Sequence, residues 1–128
     1  MAGSKGDKYY NVFLDFSIWL KSIDDQVIVN EKCLFLLLEI KKLGSIKLAA
    51  EKLGFSYRKA WNMIESSESL IGFKLVEKTR GGKDGGHTSL SPEGENLVGA
   101  FVELKEEINF TIKKVTKKFF NKINLKPE

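Results

Sequence analysis

Cysteine, histidine and long hydrophobic runs are all scarce in this sequence, and each shortage excludes something. There is one cysteine, Cys33, so no internal disulfide forms. There is one histidine, His87, far from Cys33, which excludes the common His/Cys zinc constellations. No metal and no cofactor is therefore expected. Cys33 lies in an apolar, helix-like stretch, which reads as a buried structural thiol. The longest unbroken apolar run, residues 33–38, is far shorter than the ~20 residues that a membrane-spanning helix needs. Residues 1–8 are polar with no apolar stretch behind them, so no signal peptide is expected and the cytoplasm is the expected location.

What remains is a composition of one globular domain. The length of 128 residues falls within the usual ~100–200 per domain. A chain of this size buries roughly two-thirds of its unfolded surface and holds a core without cross-links. Apolar residues make up 42% and charged residues 30%, which is a folding composition. Twenty-one basic against 17 acidic residues give a net charge of +4, compatible with a polyanionic partner without requiring one.

Residues 9–20 are rich in aromatic and β-branched side chains. Leu14, Phe16, Ile18 and Leu20 alternate with Asp15, Ser17 and Trp19. That period of two predicts a strand, with a turn at 22–25 and a return strand at 26–29. Asn30 is a candidate N-cap for a helix that is apolar nearly all round and stops at Gly44. Ser45 begins a second helix with Ile46, Ala49, Ala50 and Leu53 on one side, and Gly54 ends it. Ser56 begins a third, with Tyr57, Ala60, Trp61 and Ile64 on one face and Arg58, Lys59, Asn62 and Glu65 on the other. A strand at 73–79, a glycine-rich basic tip at 80–86 and a strand at 87–90 make a second hairpin. Ser91-Pro92-Glu93 starts one long helix to about residue 121, striped by Leu97, Phe101, Leu104, Ile108, Ile112, Val115 and Phe119.

The fold expected is therefore mainly α with small β-hairpins (α+β). It is a winged helix-turn-helix with an N-terminal hairpin and a long C-terminal helix. Two short helices joined by a tight glycine turn place the second in a DNA major groove while the first crosses the backbone. Ser56, Tyr57, Arg58, Lys59 and Asn62 are then the candidates on the recognition helix, and Arg80 and Lys83 those on the wing tip. The stripe Phe101, Leu104, Ile108, Ile112, Val115 and Phe119 is the candidate homodimer seam, because it outruns what so small a core requires. Such a dimer presents two recognition helices to major grooves ~34 Å or a multiple apart.

Gly44-Ser-Ile-Lys-Leu-Ala-Ala-Glu-Lys-Leu-Gly-Phe-Ser-Tyr-Arg-Lys-Ala-Trp61, then Leu75-Val-Glu-Lys78, Gly81-Gly-Lys-Asp-Gly-Gly86 and Leu90-Ser-Pro-Glu-Gly94, resemble the DNA-binding domain of the ModE-type molybdate-responsive transcriptional regulators. The resemblance covers residues 9–120, with a more distant likeness to LysR-type regulators. It implies double-stranded DNA as partner and no catalysis. Members of that family carry oxyanion-binding modules after the long helix. With the sequence stopping at Glu128, no oxyanion site is expected in this chain. Asp84 and His87 stand where the family tends to glycine or small residues. The organisation expected is a leader at 1–8, the winged domain with its hairpin at 9–91, a dimerisation helix at 92–121 and a tail at 122–128.

Each feature also has a plainer reading. Trp61 shares a stripe with core residues, and Tyr57 is as well suited to packing as to a phosphate. Arg58, Lys59 and Asn62 could form an ordinary solvated face. The glycine loop fails as a nucleotide cradle, because Asp84 rather than Ser or Thr follows Lys83 and no helix comes next. His87 as a catalytic base lacks an arguable nucleophile. Lys113, Lys114, Lys117, Lys118 and Lys122 suit a helix C-terminus in water. The rival to a DNA-binding regulator is a protein-interaction module on a winged-helix scaffold that no longer binds DNA.

Overall fold

The computed structural model describes residues 6–79 and 87–125. The order is β1 (Trp19–Lys21), β2 (Val27–Asn30), α1 (Glu31–Leu43), α2 (Ile46–Leu53), α3 (Tyr57–Ile71), β3 (Val76–Thr79), β4 (His87–Leu90) and α4 (Pro92–Ile123). Two units are compact in themselves. One is Ile18–Phe101; the other joins the segment up to Ser17 with the chain from Val102 onward.

In the first unit, α1 is the central helix and packs on α2, α3, β2 and β4. Leu34, Leu36, Leu37 and Ile40 are buried on several sides of it, as its lack of a polar face required. The Asn30 side chain accepts the Cys33 N–H at 2.8 Å and starts the helix. Gly44 ends it in the left-handed region, φ 70°. The Cys33 thiol lies 3.6 Å from the Ser67 hydroxyl, which donates to the Ile28 carbonyl at 2.6 Å. That chain ties α1, α3 and β2. Burial pushes the Cys33 thiol up from its ordinary value; the Ser67 hydrogen bond opposes this, and the Glu68 carboxylate adds to it.

The expected long strand at 9–20 is reduced to β1. β1 pairs antiparallel with β2, Leu20 opposite Val29, with a register irregularity at Leu20/Lys21. Residues 14–20 alternate in sequence, but β2 is only four residues long. Backbone donors in this stretch make turns, as Tyr10 and Val12 do to the Asp7 and Tyr9 carbonyls, or go to side chains. Ile18 N–H goes to a Glu31 carboxylate oxygen at 2.9 Å, and Phe16 N–H to Asp15 at 2.9 Å. β3 likewise begins at Val76 rather than 73, because the Leu75 and Val76 amides are taken by the Glu68 carboxylate.

β3 and β4 pair antiparallel with Val76 opposite Leu90 and Lys78 opposite Thr88. Thr88 N–H donates to the Gly44 carbonyl at 2.9 Å, docking the wing on the end of α1. Ser91 caps α4 by accepting the Gly94 N–H at 3.0 Å.

In the second unit, the distal part of α4 carries Thr116 and Phe120 buried. The N-terminal segment lies against it. Tyr9 N–H donates to the Asn124 side chain at 3.2 Å, and the Lys105 ammonium sits 5.0 Å from the Phe16 ring centre.

Candidate nucleic-acid interface

Two caps and one glycine build the helix-turn-helix. Ser45 accepts the Leu48 N–H at 3.1 Å to start α2. Gly54, φ 77°, ends it with its N–H turned back to the Ala50 and Glu51 carbonyls. Ser56 accepts the Lys59 N–H at 3.0 Å to start α3 two residues later. Ala49, Ala50, Ala60 and Ile64 are fully buried, so small side chains let the two helices approach closely. The buried Glu39 of α1 meets Lys52 of α2 at 3.0 Å and Lys42 at 3.9 Å, adding an ion pair between the helices.

This packing turns the other face of α3 outward. Ser56, Tyr57, Arg58, Lys59 and Asn62 are all exposed and lie together on its first two turns. The Lys59 ammonium is 5.0 Å from the Phe55 ring, folding back over the turn. Asn62 also borders a cleft of about 280 Å³ shared with Ile28 and Ser67. The core stripe read from the sequence holds for Ala60 and Ile64 but not for its aromatic members. Tyr57 is 48% exposed and Trp61 is half-buried. The two rings meet edge-on, centres 6.4 Å apart. A stripe of ~100° holds only part of each ring at its margin, and here Trp61 is only partly buried and Tyr57 is exposed.

Arg80 and Lys83 lie outside the described residues. A third wing cation, Lys78, was not among the residues singled out from the sequence. Its ammonium lies 4.4 Å from the centre of the Trp61 ring. Strand alternation puts residue 78 on the same face as Val76, which is buried, but carries no signal for the contact with Trp61.

The proposed dimer seam divides. Phe101 is 4% exposed and meets Phe35 edge-on at 5.6 Å, so it is core of the first unit and not free for a partner. Leu104, Val115 and Phe119 are 41%, 44% and 46% exposed, with Ile108 and Ile112 half-buried between them. A shallow cleft of about 300 Å³ runs along Leu104, Ile108 and Ile112. One periodicity spans the whole helix, but its first turns serve the domain core and its later turns do not.

Among the described residues no grouping of acidic, histidine or cysteine side chains could hold a metal, and no helix is long and apolar enough to cross a membrane.

Residues 33–95 match the lysR family of bacterial regulatory helix-turn-helix proteins. The chain is 38% identical over 77 residues to the molybdenum transport protein ModE of Herbaspirillum seropedicae, 60% of this chain and 29% of that protein. It is 35% identical over 92 residues to the molybdenum-pterin-binding protein MopB of Rhodobacter capsulatus, 72% and 33% respectively. To the DNA-binding transcriptional dual regulator ModE of Escherichia coli K12 it is 33% identical over 76 residues, 59% and 29%. The matched region spans about a third of the length of these relatives. Among solved structures, the BenM DNA-binding domain in complex with benA site 1 DNA superposes with a TM-score of 0.54 at 20% identity, covering 67% of this chain and 91% of that one. At that identity the likeness establishes the fold.

Proposed function

Starting from the premise that this chain carries a ModE-type helix-turn-helix domain of the lysR class, we propose that it is a sequence-specific double-stranded-DNA-binding transcriptional regulator of the cytoplasm. It acts by equilibrium binding and not by catalysis. The observation that carries this reading is the outward face of α3. Capping by Ser56 and burial of Ala60 and Ile64 turn Tyr57, Arg58, Lys59 and Asn62 out together from a helix that follows a tight helix-turn. A helix so placed enters the major groove. Arginine suits guanine and asparagine suits adenine, while lysines displace counterions along the phosphates. Arg80 and Lys83, in the glycine-rich sequence between β3 and β4, are assigned to the same DNA contact from the sequence alone. The distal stripe of α4 (Leu104, Ile108, Ile112, Val115, Phe119) pairs two copies, giving two recognition helices to one near-palindromic site.

Selection of binding sites from random duplexes tests this. A regulator enriches one motif and binds with a clearly negative log–log salt slope. Arg58→Ala and Asn62→Ala then weaken the selected site by about 1–3 kcal/mol each while changing random duplex little. No enrichment and no binding at physiological salt would leave the fold as a protein-interaction scaffold.

A further inference from the structure

Lys78 stands where the strand pattern asks for an apolar side chain. In the β3–β4 ladder Val76 faces Leu90 and Lys78 faces Thr88. Alternation puts these four residues on one side of the hairpin, and Val76, Thr88 and Leu90 are all buried. Lys78 therefore leaves the backbone toward the core side yet is exposed. A lysine can do this by laying its stem along apolar surface and bringing its charge out at the edge. That edge is Trp61, whose ring centre lies 4.4 Å from the ammonium. Tyr57, the first residue of α3, meets Trp61 edge-on and is itself half exposed. The three side chains make one continuous surface from the first turn of the recognition helix to the wing strand.

Covering Trp61 does not call for a charge. A leucine at residue 78 would cover the ring without one. The structure instead keeps an ammonium on Trp61, the ring that also meets Tyr57. Resting on an aromatic face restrains a cation without using a carboxylate that would cancel it, and the ammonium has three donors to offer. We propose that Tyr57, Trp61 and Lys78 form a phosphate-contact site for duplex DNA between the recognition helix and the wing. Lys78 supplies the charge, and Trp61 is the positioning residue that holds it. The site rests on the DNA-binding reading above and adds to it a contact that fixes the wing strand relative to α3. As a point charge on phosphate, it contributes affinity and orientation rather than sequence discrimination.

The test is a salt titration of binding to a labelled random duplex and to the selected site, using the full chain. Lys78→Ala is expected to reduce the log–log slope by about one unit and to weaken both duplexes by the same factor. Lys78→Arg should restore slope and affinity, since a guanidinium also stacks on tryptophan. Trp61→Leu should weaken both duplexes, and adding Lys78→Ala to it should cost less than Lys78→Ala alone. A wild-type slope in Lys78→Ala overturns the site while leaving DNA binding intact. Strictly additive losses remove Trp61 from it. A wild-type protein with no salt-dependent binding overturns this site and the function proposed above together.

Discussion

The carboxylate of Glu68 lies 2.7 Å from the amide nitrogen of Leu75, so the recognition helix holds the start of the wing by a charged acceptor. The same oxygen takes the Val76 amide at 3.2 Å. On the far side, the Leu75 carbonyl accepts the Ser91 N–H at 2.9 Å, and the Ser91 hydroxyl donates to the Lys74 carbonyl at 2.7 Å. Helix α3, the wing and the start of α4 thus meet at one turn of backbone.

Removing that acceptor strands two buried amides. Each unsatisfied donor costs about 1–3 kcal/mol, and Glu68 is only 7% exposed, so little water replaces it. Glu68→Ala is expected to lower stability by about 2 kcal/mol or more. Urea denaturation reads this as a lower midpoint with an unchanged slope. A wild-type midpoint would show that the contact contributes nothing net.

Two glycines of α4 are expected to respond to alanine with opposite signs. A Cβ at Gly94 would stand 2.2 Å from the Leu75 carbonyl oxygen, which is backbone and held by Ser91. At Gly99 nothing lies within 4 Å of the added carbon. Gly99→Ala should therefore stabilise by about 0.5–1 kcal/mol through helix propensity alone. Gly94→Ala should destabilise despite the same propensity gain. Parallel thermal melts decide it, and a rise for both variants would contradict the close approach of α4 to Leu75.

The Cys33 thiol gives a labelling prediction. Burial raises its pKa in the folded chain above the ordinary 9.0. Its contribution to stability is therefore complete below that value and is lost as pH rises toward the folded one. At neutral pH the buried thiol stays protonated, and the thiolate is the reactive form. Alkylation should proceed only as fast as the fold opens and should accelerate with urea in step with unfolding. Rapid labelling of the native protein at neutral pH would contradict the burial.

What the sequence disclosed was local. Asn30, Ser45 and Ser56 as caps and Gly44 and Gly54 as stops all sit where the structure has them, because capping is decided within one turn of chain. The outward face of α3, with Arg58, Lys59 and Asn62, was legible for the same reason: periodicity fixes which residues share a side. Residues 9–18 misled because aromatic and β-branched composition, and the alternation from Leu14 onward, report fitness for a strand and say nothing of a partner to pair with. Lys78 on Trp61 was hidden because it joins β3 to α3, and spacing within either element is silent on contacts between them. Glu68 was not singled out from the sequence, because its contacts with the Leu75 and Val76 amides join α3 to the start of the wing. Phe101 and Leu104 sit three residues apart on one stripe, yet one is core and the other is exposed. The helix passes there from Phe101 in one compact unit to Val102 in the other.

Pairing through the later turns of α4 is the remaining prediction. The N-terminal segment could have hidden this face, but the side chains buried on the distal helix are Thr116 and Phe120. Leu104, Val115 and Phe119 stay more than 40% exposed, and with Ile108 and Ile112 they form a stripe that returns about every turn. A contiguous apolar stripe on a helix in water usually marks an interaction surface, and a two-fold axis lets one such stripe cover its own copy. Sedimentation equilibrium at tens of micromolar is expected to give twice the 14.5 kDa chain mass. Leu104→Asp with Val115→Asp should return it to a single chain, because two carboxylates per copy would have to be buried without partners. Circular dichroism should be unchanged, since both residues are exposed in the single chain. Phe101→Ala separates seam from core: it should lower stability by about 3–5 kcal/mol as a buried aromatic while leaving the mass of the folded fraction at the dimer value. A wild-type mass of one chain, or a dimer that survives the paired aspartates, excludes α4 as the seam.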